Sequence, residues 1–474
     1  MLEGGWVRRL LVLIAALTAT GASAQEQPDV LFITLDDLND WIGVLGGHPQ
    51  AKTPNIDRLA ARGMTFTNAH SPSALCNPSR TAILTGLRPS TSGMYGNDPD
   101  WRTVDVFDGL ATLPRHFRTN GYRTLGSGKI FHAHTYGPAG FAGYNDTAAW
   151  DAFWPSPDRQ LPEETVPARR LIDSPMFIGF DWDSVVAQDS ATGDGQVVAW
   201  VEQQLLAETG SPRFIAAGIY RPHLPWYVPQ KYFDMHPLEG VQLPAVLEND
   251  LDDVPEAGAR GSLQSTEMHE WVVEEQKWKE AVQGYLASVS FADALVGRLL
   301  DALEQSGRAD RTIIVLLGDH GFHLGEKARW RKMTLWEEST RVPLIVVAPG
   351  VTRAGSRSGE AVSLMDLYPT LAELTGLGVP PHVEGESLVP LLRDPEGATR
   401  EQPALITYGY GNHAVRDERY RYIRYADGSE ELYDHDSDPN EWTNLAASPA
   451  HAQAKAQLAR YLPEADAPAL GRRN

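Results

Sequence analysis

Short apolar runs rich in β-branched residues punctuate the chain at 30–35 (VLFITL), 214–219 (FIAAGI), 312–317 (TIIVLL) and 344–348 (LIVVA). Their apolar residues are consecutive rather than alternate, which predicts strands buried on both faces. Residues 64–68 and 122–126 repeat the pattern more weakly. Helical signals fall between these runs. Thr53-Pro54 ahead of residues 55–62, closed by Gly63, offers a threonine cap, a proline in the first turn and a glycine stop. Residues 79–85 stop at Gly86, residues 196–208 stop near Gly210, and residues 267–305 form a long helix-rich stretch. Strands alternating with helices predict an α/β fold, a sheet covered on both faces by helices.

From about residue 403 the pattern changes. Residues 405–410, 420–425 and 431–433 read as short strands broken by Gly409, Gly411 and the turn Asp427-Gly428, and a helical tail follows at 450–461. The expectation is a catalytic domain over 25–402 carrying a small antiparallel α+β subdomain over 403–474. Residues 155–175 and 243–265, rich in proline or acid, are expected to be surface loops. The first 24 residues differ again: Arg8 and Arg9 precede an apolar run at 10–17, and Ala22-Ser23-Ala24 ends the segment. That order is the pattern of a secretory signal and predicts a periplasmic or secreted protein. The run at 10–17 is too short to span a bilayer, and no later stretch is long and apolar enough, so no membrane span is expected.

Composition narrows the function. The 474 residues are 42% hydrophobic and 22% charged, a balance that excludes wholesale disorder. The formal charge of -21 is spread along the chain without a basic stripe, so nucleic acid is not an expected partner. Cys76 is the only cysteine, and no internal disulfide is possible.

The polar motifs gather at the C-terminal ends of the expected strands, where open α/β sheets bind their ligands. Asp36-Asp37 follows the first strand, Arg221-Pro222-His223 and Asp319-His320-Gly321 follow two others, and Lys129 with His132 follows the run at 122–126. Adjacent buried carboxylates repel unless a cation lies between them. Asp36, Asp37 and Asp319 offer hard oxygen ligands suited to Ca²⁺ or Mg²⁺, with His320 as a nitrogen ligand or an outer donor. Cys76 stands before a helix whose first turn favours negative charge, with Arg80 one turn further on. A bare thiolate beside a hard cation is a chemical mismatch.

The segment Cys76-Asn77-Pro78-Ser79-Arg80-Thr81-Ala82-Ile83-Leu84-Thr85-Gly86 satisfies C-x-P-S-R-x-x-x-L-T-G and resembles the signature of the type I sulfatases. Asp36-Asp37, Thr53-Pro54-Asn55-Ile56-Asp57, Gly128-Lys129 with His132, Arg221-Pro222-His223 and Gly318-Asp319-His320-Gly321 resemble further landmarks, over residues 29 to about 445. Within the family the chain is most similar to the iduronate-2-sulfatase branch, through Leu35 to Trp41, Pro222-His223-Leu224-Pro225 and Leu324-Gly325-Glu326.

The resemblance implies an alkaline-phosphatase/sulfatase-like mixed sheet and oxidation of Cys76 to formylglycine by a maturation enzyme, which replaces soft sulfur with oxygen. It implies that Asp36, Asp37, Asp319, His320 and the modified Cys76 hold one divalent metal, Ca²⁺ or Mg²⁺. It gives Arg80, Lys129 and Lys332 to the sulfate group, His223 to protonation of the departing alcohol, and His132 to removal of a proton from the hydrated aldehyde. The implied reaction is hydrolysis of a sulfate ester on a carbohydrate, a sulfated uronic acid or related sugar, taken from chain ends. Two alternatives stand beside it: a phosphodiesterase or phosphonate monoester hydrolase on the same fold, and a non-catalytic glycan-binding protein. His48, His134 and His323 are expected to be surface or hydrogen-bonded histidines, and Trp226 and Trp330 core residues.

Overall fold

A computed structural model describes residues 27–134, 139–164, 179–260 and 263–470. The secretory signal expected at 1–24, and the greater part of the loop expected at 155–175, lie outside the described residues.

Eight strands form the main sheet: β1 (Asp29–Asp36), β2 (Met64–Phe66), β3 (Arg123–Gly128), β4 (Ala152–Trp154), β5 (Arg213–Pro222), β6 (Thr312–Gly318), β7 (Leu344–Val347) and β8 (Ser356–Ser358). Their order is β8-β2-β7-β6-β1-β5-β3-β4. β1 is central and runs parallel to both β5 and β6, with Leu35 opposite Gly318. β7 runs antiparallel to β6 and β2, which makes the sheet mixed.

Alternate residues of β1 feed two separate cores. Leu31, Ile33 and Leu35 pack with Leu59, Val198 and Leu295, while Val30 and Phe32 pack with Phe66, Ile83, Phe117 and Phe214 on the other face. All eight β1 residues are buried, and each large apolar side chain contributes roughly 1.5–3 kcal/mol by leaving water. The covering helices are α1 (Pro54–Ala60), α2 (Cys76–Thr85), α3 (Gly193–Leu206), α4 (Leu263–Glu274) and α5 (Trp278–Gln305).

Several local expectations are corrected. Thr53 does not cap α1; its hydroxyl accepts from Gly43 N at 2.8 Å, and the Asp293 carboxylate from α5 takes the Asn55 and Ile56 N–H groups at 3.0 and 2.8 Å. The stretch 267–305 is two helices, α4 and α5, broken where Gln276 adopts φ +55°. The supposed loop at 243–265 contains a short helix, Glu256–Arg260, and the start of α4. α2 begins at Cys76, three residues ahead of the expected start, and ends as expected at Gly86, whose φ of +79° suits glycine.

The C-terminal part is a four-stranded antiparallel sheet, β9 (Ala404–Thr407), β10 (His413–Arg416), β11 (Tyr420–Arg424) and β12 (Glu430–Asp434), followed by α6 (Ala452–Leu458). β10 was absent from the sequence reading because HAVR is short and offers only two apolar residues. This sheet packs on the main body through Trp336, Leu335, Ile406 and Tyr433, with Arg421 paired to Glu337. Trp226 and Trp330 are core residues, both fully buried. Among the described residues no helix is long and apolar enough to cross a membrane.

Candidate active site

Strand polarity assembles the site. Because β1, β5, β6 and β3 are mutually parallel, Asp36-Asp37, His223, Asp319-His320 and Lys129 all leave the sheet at one edge. α2 sets Cys76 and Arg80 against that edge: the Ser79 hydroxyl donates to Asp319 O at 2.6 Å, and Arg80 Nε donates to Asp319 Oδ2 at 2.7 Å. Asp37, at φ +64°, turns the chain so that its N–H donates to Asp319 Oδ1 at 3.1 Å.

One ligand atom from each of Asp36, Asp37, Cys76 and His320 lies within 4.8 Å of the others, and all four residues are buried. His320 Nδ1 meets the Gly321 carbonyl at 3.0 Å, which leaves Nε2 facing Cys76 Sγ at 3.1 Å and Asp37 Oδ1 at 3.4 Å. Asp319 stands beside this group with its carboxylate engaged by Arg80, the Asp37 N–H and its own neighbour's N–H. Asp37 Oδ2 is buried without a hydrogen-bond partner among the described residues. An orphaned carboxylate oxygen among two carboxylates, an imidazole and the Cys76 side chain fits a hard divalent cation, with oxygen rather than sulfur at position 76.

Three cations balance these acids. Lys129 contacts Asp36, Lys332 contacts Asp37, and Arg80 reaches Asp36 Oδ1 at 3.4 Å while also donating to the Lys129 and Ile130 carbonyls. Lys332, which the sequence places in an ordinary basic cluster, is buried inside the site. Arg331 and Met333 on either side of it adopt φ +73° and +79°, a left-handed backbone that costs energy in residues with a Cβ.

The field splits the acidic pair. Burial raises both; for Asp37 burial prevails and its carboxyl sits above the ordinary range, whereas Lys129 and Arg80 hold Asp36 below it. Burial also opposes thiolate formation at Cys76, but Lys129, Lys332 and His320 bring the thiol down to about 6. His320 is raised to about 9 by the charges of Asp319 and Cys76, against the effect of burial. Burial and the nearby lysines hold His132 and His223 neutral, well below the usual imidazole range.

Each expected site residue is accounted for. Cys76, Arg80, Lys129, His223 and Lys332 join Asp36, Asp37, Asp319 and His320 in one buried cluster, with His223 Nε2 3.9 Å from Asp37 Oδ2. His132 is buried within the field of Lys129, Asp36 and Arg80, and neither of its ring nitrogens has a hydrogen-bond partner among the described residues. His48 and His323 lie apart, bonded to Gln242 O and the Thr334 hydroxyl. His134 lies 5.2 Å from His132, ring to ring.

Sequence reasoning missed the supports. Tyr220 puts its ring 4.7 Å from that of His223 and 4.8 Å from Lys129 Nζ. Asp194, in the first turn of α3, accepts the Tyr220 and Arg221 N–H groups at 2.6 and 3.1 Å and so fixes the end of β5. Tyr220 directly precedes Arg221-Pro222-His223, the only hint available; Asp194 had none.

A family model described as Sulfatase matches residues 28–377. The chain belongs to the sulfatase family. A second model, the C-terminal region of N-sulphoglucosamine sulphohydrolase, matches residues 325–467 of this sulfatase. The sulfatase is 42% identical over 439 residues to a Sulfatase of Formosa agariphila, covering 89% of this chain and 83% of that one. It is 31% identical over 417 residues to the human Iduronate 2-sulfatase, covering 78% and 74% respectively. In structure it is similar to a phosphonate monoester hydrolase from Silicibacter pomeroyi, with a TM-score of 0.75 at 23% identity, covering 92% of this chain and 94% of that one. At that identity the likeness speaks for the fold alone.

Proposed function

We propose that this sulfatase hydrolyses a sulfate ester on a carbohydrate, a sulfated uronic acid or related sugar, at chain ends, using formylglycine derived from Cys76 and one Ca²⁺ or Mg²⁺. The observation that carries the reading is the convergence of Cys76, Asp36, Asp37 and His320 within 4.8 Å at a helix N-terminus. The similarity to Iduronate 2-sulfatase supports a sugar substrate of that class.

Asp36, Asp37, Asp319 and His320 would hold the cation together with the modified side chain at 76. When both groups are in place, the hydrated aldehyde supplies an oxygen nucleophile for sulfur and the cation draws charge from the sulfate oxygens. The rest falls to the chain's own residues. Lys129, Lys332 and Arg80 are fixed cations in a dry cluster and counter the negative charge that grows on the sulfate oxygens. With Nδ1 turned to the Leu224 carbonyl, His223 presents Nε2 to the site and carries a proton from that nitrogen to the departing sugar oxygen. Burial and the lysine charges both disfavour the charged imidazole, and a bound sulfate ester offsets the lysine part. His132, whose ring nitrogens have no hydrogen-bond partner among the described residues, accepts the proton that frees sulfate.

Three measurements test the reading. Mass spectrometry of the peptide spanning Cys76 to Arg80 should show the aldehyde at position 76, and full activity from an unmodified thiol would sink it. Exhaustive chelation should abolish turnover, added Ca²⁺ or Mg²⁺ should restore it, and Asp319→Asn should reproduce the loss. Sulfate esters should be cleaved faster than the matching phosphate and phosphonate esters; the reverse order would make this a phosphonate hydrolase.

A further inference from the structure

Tyr220, near the end of β5, is buried yet lies apart from both main cores, in a small patch with Ala133, Leu161 and Phe141. What surrounds its ring is mostly charge. Lys129 Nζ stands 4.8 Å from the ring centroid, the Arg221 guanidinium 5.5 Å, and the His223 ring 4.7 Å at a tilt of 50°. Both cations fall within the roughly 6 Å over which an aromatic face attracts positive charge. The backbone beneath is pinned. Asp194 accepts the Tyr220 and Arg221 N–H groups at 2.6 and 3.1 Å, and Arg221 Nη2 donates to Tyr227 O at 3.3 Å and to Glu164 Oε2 at 3.4 Å.

Two of these neighbours have opposite duties in the proposed reaction. His223 is tethered at Nδ1 by the Leu224 carbonyl, with Nε2 3.9 Å from Asp37 Oδ2. A tether at one nitrogen leaves an imidazole free to rock about that bond, and a ring packed against it removes the freedom. Lys129 is caught differently: its backbone N–H donates to Gly218 O at 2.9 Å, and its ammonium contacts Asp36 and also meets the Tyr220 ring. Tyr220 therefore touches both the cation assigned to the sulfate and the imidazole assigned to the alcohol. An aliphatic side chain of similar bulk would serve if filling space were the whole task. It has no π face for the ammonium and no flat surface for the imidazole.

We propose that Tyr220 is a positioning residue for desulfation, its ring fixing His223 at a set place relative to Lys129, a role that rests on the sulfatase reading above. As the bond from sulfur to the sugar oxygen breaks, its electron pair moves to that oxygen, which takes the proton from His223 Nε2. The transfer succeeds only if the imidazole already faces the oxygen while Lys129 holds the sulfate. Tyr220 makes no contact with the reacting atoms in this scheme and acts through His223. Its effect is accordingly largest where the leaving oxygen is most basic: a sugar alkoxide needs the proton, whereas a nitrophenolate departs without it.

The experiment compares 4-nitrophenyl sulfate with the sulfated monosaccharide that the matured parent protein desulfates fastest in a panel. Misplacing a proton donor by about 1 Å costs up to about a hundredfold, so Tyr220→Leu should lower kcat about thirtyfold on the sugar ester and only about threefold on the nitrophenyl ester, with KM nearly unchanged. The readout is the ratio of the two rates, which does not depend on how much of the sample is folded; Tyr220→Met serves if Tyr220→Leu does not fold at all. Tyr220→Phe, which keeps the ring, should restore the parent ratio. In a His223→Ala background, Tyr220→Leu should leave the ratio where His223→Ala alone sets it. A ratio in Tyr220→Leu within about twofold of the parent, or an equal fall in Tyr220→Phe, overturns the positioning role and spares the sulfatase reading. A matured parent protein that cleaves neither ester removes both.

Discussion

Arg80 spends its guanidinium on Asp319, Asp36 and two backbone carbonyls, all out of reach of water. Removing one partner of a buried charge pair costs about 3–5 kcal/mol, because the other charge is left without solvent. Arg80→Ala should therefore lower the unfolding free energy by about that amount in urea titration as well as abolish turnover; a variant of parent stability would mean that the pair is not buried in solution. Asp36, Asp37, Asp319 and Cys76 were legible in the sequence because each is costly in its place, a charge or a nucleophile at the end of an apolar strand or the start of a helix. Tyr220 and Asp194 were not, since a ring or a helix carboxylate becomes a support only through a partner elsewhere along the chain. Lys332 was legible only by resemblance, because a buried lysine and a solvated one look alike in sequence.

At the scale of elements, α1 shows what pattern reading cannot reach. Its proline was foreseen, but it ends at Ala60, short of the expected Gly63 stop, and its cap comes from Asp293, 238 residues away on α5. Burial raises that carboxyl to about 6 from 3.8, against the hydrogen bonds from Ile56 and Asn55. The native state thus holds the proton more tightly than the unfolded chain, so this contribution is complete below pH 3.8 and is lost as pH rises through 6. Asp293→Asn cannot ionise. Its stability relative to the parent should climb between those pH values by up to about 3 kcal/mol, measured by denaturant titration at successive pH. A flat difference would show that Asp293 titrates normally. The strands of the main sheet were legible because burial on both faces leaves continuous apolar runs, whereas β10 is too short to leave such a run.

The whole molecule carries a net charge of -21, with its designated cations sunk in one cluster. A polymer bearing many sulfates meets like charge over most of the surface, and the repulsion is screened beyond about 10 Å at 0.1 M salt. Raising ionic strength from 20 to about 150 mM should therefore increase kcat/KM on a sulfated polysaccharide while changing that on a sulfated monosaccharide much less. Equal salt dependence of the two would argue against long-range repulsion. A sheet with helices on both faces was foreseen from alternation, and its mixed character only from the resemblance. The residues through which the C-terminal sheet docks, Trp336 and the Glu337–Arg421 pair, were not, since a buried ion pair between distant segments leaves no mark in either segment's pattern.

The depth of Cys76 also sets an order of events. Its side chain is 1% exposed, and the backbone around it is already wound into the first turn of α2. A macromolecular oxidant cannot close its own active site around a residue in that position, so under the proposed conversion the segment must be processed while the chain is still extended. Activity would then be decided once, during synthesis or export. Molecules that fold first would be permanently silent, structurally indistinguishable from their active siblings apart from one side chain. Offering the maturation enzyme to folded and to denatured, then renatured, unconverted protein would separate these histories: only the second should gain turnover.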